Sequence, residues 1–89
     1  MEALNKIKEF IGDGGMVAFE HGFKKPAFEK GGYIHYCTMI SDDVAYCVKR
    51  YGDGTRRRAN FKLTSLPART LNKLYNSLIE YEEYCRTEA

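Results

Sequence analysis

The side chains best suited to chemistry in this chain are arginines, lysines and tyrosines gathered in its middle. Arg50, Arg56, Arg57 and Arg58 flank a Gly52-Asp53-Gly54 stretch, with Lys49 and Tyr51 beside them. Tyr33 lies upstream, and Lys24, Lys25 and Lys30 precede it. Cationic side chains neutralise phosphates, and tyrosine rings stack on unpaired bases. Together they have the chemistry of a single-strand RNA or DNA platform. The same residues also suit the solvated face of an antiparallel sheet, where charge keeps a protein soluble. Contact with an acidic protein is a third reading.

The charge balance of the whole chain hides this cluster. The net charge is +2, but residues 24–62 carry nine basic and four acidic side chains. Residues 1–23 carry two basic and four acidic, and residues 63–89 three and four. A basic centre between mildly acidic ends favours an anionic partner.

Other reactive side chains form weaker constellations. His35, Cys37 and Cys47 fall on one side of two neighbouring segments and have the donor atoms for a soft metal. No C-x-x-C pair accompanies them, and Cys85 or His21 would have to supply a fourth ligand from elsewhere. Small apolar positions on a sheet suit free cysteine equally well. A cysteine nucleophile with His35 as base lacks an orienting acid. Gly12-Asp13-Gly14-Gly15 follows a helix and precedes a strand, the reverse of a phosphate loop, and no Gly-Lys-Ser/Thr closes it. His21 reads as a strand-end or loop histidine. The expectation is therefore a non-enzymatic protein with no metal and no cofactor.

The elements that position these residues follow from periodicity. Leu4, Ile7 and Ile11 share a helical face within Met1 to Ile11, with Phe10 beside it, and Gly12 stops the helix. Met16 to Gly22 alternates as a strand, and Phe23 to Gly32 reads as a loop. Tyr33 to Ile40, Val44 to Tyr51 and Thr55 to Leu63 read as three consecutive antiparallel strands. Ser65 caps a final helix from Leu66 to about Arg86, with Pro67 in its first turn. Leu71, Leu74, Leu78, Tyr81 and Cys85 form its apolar stripe, widened by Tyr75. Ile79 and Tyr84 lie off that stripe and offer a patch for a protein partner or a homodimer. Glu82 and Arg86 are spaced as an i,i+4 ion pair. The whole reads as one α+β domain over residues 1–89, an antiparallel meander of three to four strands in the order α-β-β-β-β-α.

Turn chemistry and hydrophobic pattern set the expected registers. A two-residue Asp53-Gly54 turn pairs Val44 with Leu63, Tyr46 with Phe61 and Val48 with Ala59. A one-residue slip would set Val48 against Arg58 and Tyr46 against Asn60, and the pattern of apolar residues argues against it. A three-residue Ser41-Asp42-Asp43 loop then sets Ile40 opposite Val44, Thr38 opposite Tyr46 and Tyr36 opposite Val48. The expected core face is Ile40, Val44, Leu63, Thr38, Tyr46, Phe61, Tyr36, Val48 and Ala59. The expected binding face opposite carries Tyr33, Tyr51 and Arg56, then His35, Lys49 and Arg58. Arg50 and Arg57 reach the same tip from the core side, and the lysine loop lies near it. Whether the N-terminal helix covers that face, and where the first strand pairs, stay open at this level.

The element order is similar to that of the double-stranded-RNA-binding domain, a three-stranded sheet flanked by helices. The likeness ends at order. Ser65-Leu66-Pro67-Ala68-Arg69 lacks the lysine cluster that this family sets on phosphates, and no strand carries the aromatic pattern of RNA-recognition motifs.

Three cysteines without paired spacing do not form a secreted disulfide framework. The first residues lack the apolar core of a signal peptide, and the longest apolar run, Val44 to Val48, is far too short to span a bilayer. A cytoplasmic location and no membrane partner are expected. The functional expectation is a small binding protein, contacting nucleic acid, single-stranded by preference. The alternative is a protein-interaction or inhibitory module that uses the last helix or a strand edge.

Overall fold

The computed structural model describes residues 2–12, 15–20 and 23–88, the side chain of Glu88 excepted. Met1, Asp13, Gly14, His21, Gly22 and Ala89 lie outside the described residues, and with them the expected position of His21. The architecture is α+β, with two α-helices on one side of an antiparallel sheet of five strands.

Helix α1 (Glu2–Ile11) buries Ala3 and Ile7 and leans Leu4, Phe10 and Ile11 on the core. Gly12 ends it at φ 91°, donating its N–H to the Lys8 carbonyl at 2.9 Å. Only glycine takes that left-handed C′ position without a Cβ penalty. Strand β1 (Met16–Ala18) is shorter than expected. It pairs Met16, Val17 and Ala18 with Ser41, Ile40 and Met39 at one end of β3 (Tyr33–Ser41). The expected loop over residues 23–32 contains a second short strand, β2 (Phe28–Lys30), which pairs with the other end of β3. Gly31 and Gly32, at φ 63° and 81°, turn the chain between them. One edge of the sheet is thus built from two short strands, each paired with β3.

Strands β4 (Val44–Arg50) and β5 (Arg56–Lys62) complete the order β1-β3-β4-β5. The β3–β4 pairing matches the expectation from Ile34 to Cys37, with Tyr36 opposite Val48 and Cys37 opposite Cys47. A bulge at Thr38 then shifts it, so that Met39 faces Tyr46 and Ile40 faces Ala45. The loop is therefore two residues, Asp42 and Asp43, both left-handed at φ 51° and 62°.

Between β4 and β5 the pairing is the slipped one that the apolar pattern argued against. Val48 faces Arg58 and Tyr46 faces Asn60, while Cys47 faces Ala59 and Ala45 faces Phe61. The loop explains the slip. Gly54 donates to the Tyr51 carbonyl and Tyr51 to the Thr55 carbonyl, each at 3.0 Å, and Gly54 is left-handed at φ 91°. That is a three-residue hairpin loop, a turn closed by a left-handed glycine. Asp53 secures it by accepting bonds from the Thr55 amide at 3.0 Å and hydroxyl at 2.7 Å.

The bulge and the slip together keep Ile40, Phe61 and Ala59 on the covered face, as expected, and exchange Tyr36, Tyr46, Val44 and Val48 for Cys37, Cys47 and Ala45. The covered face carries Ile40, Ala45 and Phe61, then Cys37, Cys47 and Ala59, then His35, Lys49 and Arg57. Phe28 and Val17 extend it across the edge strands. Against it lies α2 (Ala68–Glu88), whose Leu71, Leu74 and Leu78 are fully buried. Small residues on the sheet let the leucines approach closely, and interior packing density rewards that fit. Thr70 and Ser77 are buried on the same helix. Helix α1 packs against α2 on this side, with Phe10 edge-on to Tyr75 at 6.3 Å.

Ser65 does not cap α2. It sits in the 3-10 turn Leu63–Ser65 and donates to the Lys62 carbonyl at 2.7 Å, while Pro67 immediately precedes the helix. Near the far end, Arg86 pairs with Glu82 as spaced. Tyr84 rests edge-on against Phe23 at 5.4 Å, so the second apolar side of α2 is partly occupied from within the chain.

Candidate nucleic-acid interface

With both helices on one side, the other face of the sheet is open. Its rows follow from the register. Ile34, Arg50 and Arg56 form the row nearest the Gly52-Asp53-Gly54 tip. Tyr36, Val48 and Arg58 come next, then Met39, Tyr46 and Asn60, then Ser41, Val44 and Lys62. Tyr36, Tyr46, Val44 and Val48 are half-buried, and Ile34 is 44% exposed. The centre of the face is aromatic and apolar, and its β5 border is basic.

The expected site residues divide between the faces. Arg50, Arg56 and Arg58 stand on the open one, and Lys24 and Lys25 reach it from the loop over the β3 edge. Tyr33, Lys49, Tyr51, Arg57 and Lys30 lie on the helix side of the tip, beyond the cover of α2. There the ammonium of Lys49 sits 4.5 Å from the Tyr33 ring and 5.2 Å from the Tyr51 ring. The two rings meet edge-on at 5.0 Å. Lys30 lies 6.0 Å above the Phe61 ring. These rings already hold a cation of their own chain, which uses the stacking surface that a base would need.

Tyr36 and Tyr46 take over as the rings available to a ligand. The apolar pattern places both in the core; the bulge at Thr38, which sets Ile40 on the face of Cys37, and the slip of β5, which sets Phe61 there, cover the other face instead. Thr38 donates its hydroxyl to the Tyr46 carbonyl at 3.0 Å.

Two hollows mark this face. One, of about 200 Å³, is lined by Phe19, Phe23, Lys24, Lys25, Tyr36, Cys37, Thr38, Val48, Arg50 and Arg56. The other, of about 430 Å³, runs over Thr38, Met39, Tyr46, Cys47, Val48, Arg58 and Asn60. They share Thr38 and Val48 and so form one surface. Neither is lined by a carboxylate. Among the described residues no ion pair engages Lys24, Lys25, Arg50, Arg56 or Arg58. Glu29, paired with Ile34, continues the Ile34-Arg50-Arg56 row onto β2 on the same face.

No known protein family, curated protein or solved structure matches this chain. The site is therefore read from its own geometry.

His35, Cys37 and Cys47 lie together on the covered face. Cys37 and Cys47 are direct cross-strand partners, 8% and 2% exposed. Cys37 donates to the Met39 carbonyl at 3.6 Å, and Cys47 to that of Ala45 at 3.9 Å. Contact with Cys47 and burial push the Cys37 thiol well above its ordinary value. A protonated thiol is a poor nucleophile and a poor metal ligand. The His35 ring sits between Phe28 at 5.2 Å and Phe61 at 5.3 Å. Its Nε2 donates to the Lys30 carbonyl at 3.3 Å, and its buried Nδ1 has no partner among the described residues. Burial lowers its pKa, with Lys49 and Lys30 adding to the effect and the Lys30 hydrogen bond opposing it. No group of three His, Cys, Asp or Glu among the described residues is placed to hold a metal ion. No helix among them is long and apolar enough to cross a membrane.

Proposed function

We propose that this is a non-catalytic protein that binds single-stranded nucleic acid across the open face of its sheet. The observation that carries the reading is the row structure of that face. Half-buried Tyr36 and Tyr46 lie beside Arg50, Arg56, Arg58 and Lys62, four cations against the single charge that Glu29 brings to the Ile34 row from β2. Strands in a sheet lie about 4.8 Å apart, so a tyrosine on β3 and an arginine on β5 stand roughly 10 Å from each other. That separation lets a base stack while its phosphate meets a guanidinium. A duplex keeps its bases stacked on one another and offers the rings nothing. Three free cysteines, two of them facing each other unbridged, fit work in a reducing compartment such as the cytoplasm.

Fluorescence anisotropy with labelled single-stranded RNA and DNA tests the proposal. Wild-type affinity is expected to fall with salt, with a log–log slope of about −0.7 for each phosphate neutralised. Removing both rings by Tyr36→Ala and Tyr46→Ala weakens binding by roughly 30-fold or more, at ~1–3 kcal/mol per stacked base. Tyr33→Ala, on the helix side, leaves it near wild type. Equal losses in all three, or no binding at low salt, overturn the proposal.

A second reading has its own observation. Strand β5 is an edge, every residue from Arg56 to Arg58 is exposed, and its outer side pairs with no strand among the described residues. An extended acidic segment of another protein would find both hydrogen bonds and counter-charge there. A second copy of this chain would bring like charges together, which disfavours self-pairing. Strand binding that survives loss of both tyrosines, together with capture of an acidic peptide, would favour this reading.

A further inference from the structure

We propose that the smaller hollow is a subsite for one nucleotide, able to take a free nucleoside monophosphate. This rests on the reading of the open face as a nucleic-acid surface and assigns one unit of the ligand to one place on it.

The hollow differs from the rest of the face in having a built wall. Phe19, Phe23, Lys24 and Lys25 line it from the β3 edge, between β1 and β2 in the chain. The Phe19 N–H donates to the Thr38 carbonyl at 2.9 Å, and the Phe23 N–H to the Glu20 carbonyl at 3.2 Å. The Glu20 N–H donates to the Tyr81 hydroxyl at 3.0 Å, tying the loop to α2. Phe19 and Phe23 stack at 5.8 Å, and Tyr81 lies 5.0 Å from the first and 5.2 Å from the second. Aromatic contacts from α2 thus fix both phenylalanines at the β3 edge, where they line the hollow together with Tyr36. A strand crossing the sheet from β5 meets this wall and has to turn or end.

Size and chemistry select the occupant. At about 200 Å³ the hollow is smaller than the 300–1,000 Å³ of ordinary small-molecule sites, enough for one ring system with its substituent. Tyr36 and Val48, bordered by the stacked Phe19–Phe23 pair, supply apolar surface, which suits a planar heterocycle. Four exposed cations, Lys24, Lys25, Arg50 and Arg56, stand around it, and no carboxylate is among its lining residues, Glu29 lying in the Ile34 row beside it. A ring alone leaves the cations unused, and an inorganic anion leaves the aromatic wall unused. A base joined to a phosphate uses both.

Amide chemical shifts of the full chain, titrated with uridine and adenosine monophosphates, test the assignment. The nucleosides and inorganic phosphate serve as comparisons, and the single strand is titrated in parallel. Monophosphates are expected to move resonances of residues 19–25, 36–38 and 48–50, with a dissociation constant on the order of 1 mM. Lys24→Ala with Lys25→Ala, both exposed, should weaken the monophosphate by roughly 5-fold without unfolding the chain. Tyr33→Ala should not change it. Inorganic phosphate moving the same residues equally, or shifts scattered over the surface, overturns the subsite. A strand that binds while the monophosphates do not overturns the subsite and leaves the open-face reading standing. Monophosphates that bind while no strand does keep the subsite and remove the wider platform.

Discussion

His35 shows how one side chain can be chemically suggestive and structurally committed. Its Nε2 faces a carbonyl, which only accepts, so the neutral ring carries its proton there. The ring is 2% exposed between two phenylalanines, and burial lowers its pKa. A group whose pKa is lowered on folding binds its proton better when unfolded. Its contribution to stability is whole above the unfolded value of 6.5 and declines as pH falls below that. The urea midpoint should therefore drop between about pH 7.5 and pH 5. His35→Phe, which keeps a ring among rings, should flatten that interval. The hydrogen bonds from Thr55 lower the pKa of Asp53, so its contribution is present above 3.8 and is lost at more acid pH, outside this window. An unchanged slope in His35→Phe would remove the buried histidine as its cause.

At the scale of elements, most of the fold was legible and the faces were not. Both helices and the long strands of the meander follow from period and punctuation, since Leu71, Leu74 and Leu78 recur at helical spacing and Gly12 ends α1. Strand β2 carried a readable signal in Gly31-Gly32, a hairpin dipeptide, but three residues are too few for periodicity to register. The faces failed for a different reason. The Asp53-Gly54 dipeptide fits a two-residue turn and also the end of a three-residue loop, and the choice moves every β5 side chain to the other side. Ranking tyrosine and valine above alanine and cysteine as core residues then chose the wrong one. Ala45 is fully buried while Tyr46 is half-buried. Leu74→Ala, at a fully buried position, should cost about 3 kcal/mol. Tyr46→Ala should cost about 1 kcal/mol or less, because no element covers that ring. Equal losses in urea unfolding would mean that the open face is packed in solution.

The whole molecule sets its two helices on one side of the sheet. The leucines, small sheet residues and buried histidine hold them there, and among the described residues no helix covers the other side. Charge position then matters more than the net charge of +2. Three consecutive arginines alternate across β5, with Arg56 and Arg58 on the open face and Arg57 on the helix side opposite Lys49. A disordered or purely electrostatic basic tract would respond to loss of any of the three alike. A sheet face responds by parity. Arg56→Ala and Arg58→Ala should each weaken single-strand binding by roughly 5- to 10-fold and reduce the magnitude of the salt slope by about 0.7. Arg57→Ala removes the same charge one residue away and should change affinity less than about 2-fold, the share of long-range attraction alone. If Arg57→Ala proves as damaging as its neighbours at physiological salt, binding is not organised by the open face, and the basic tract acts as a tether instead.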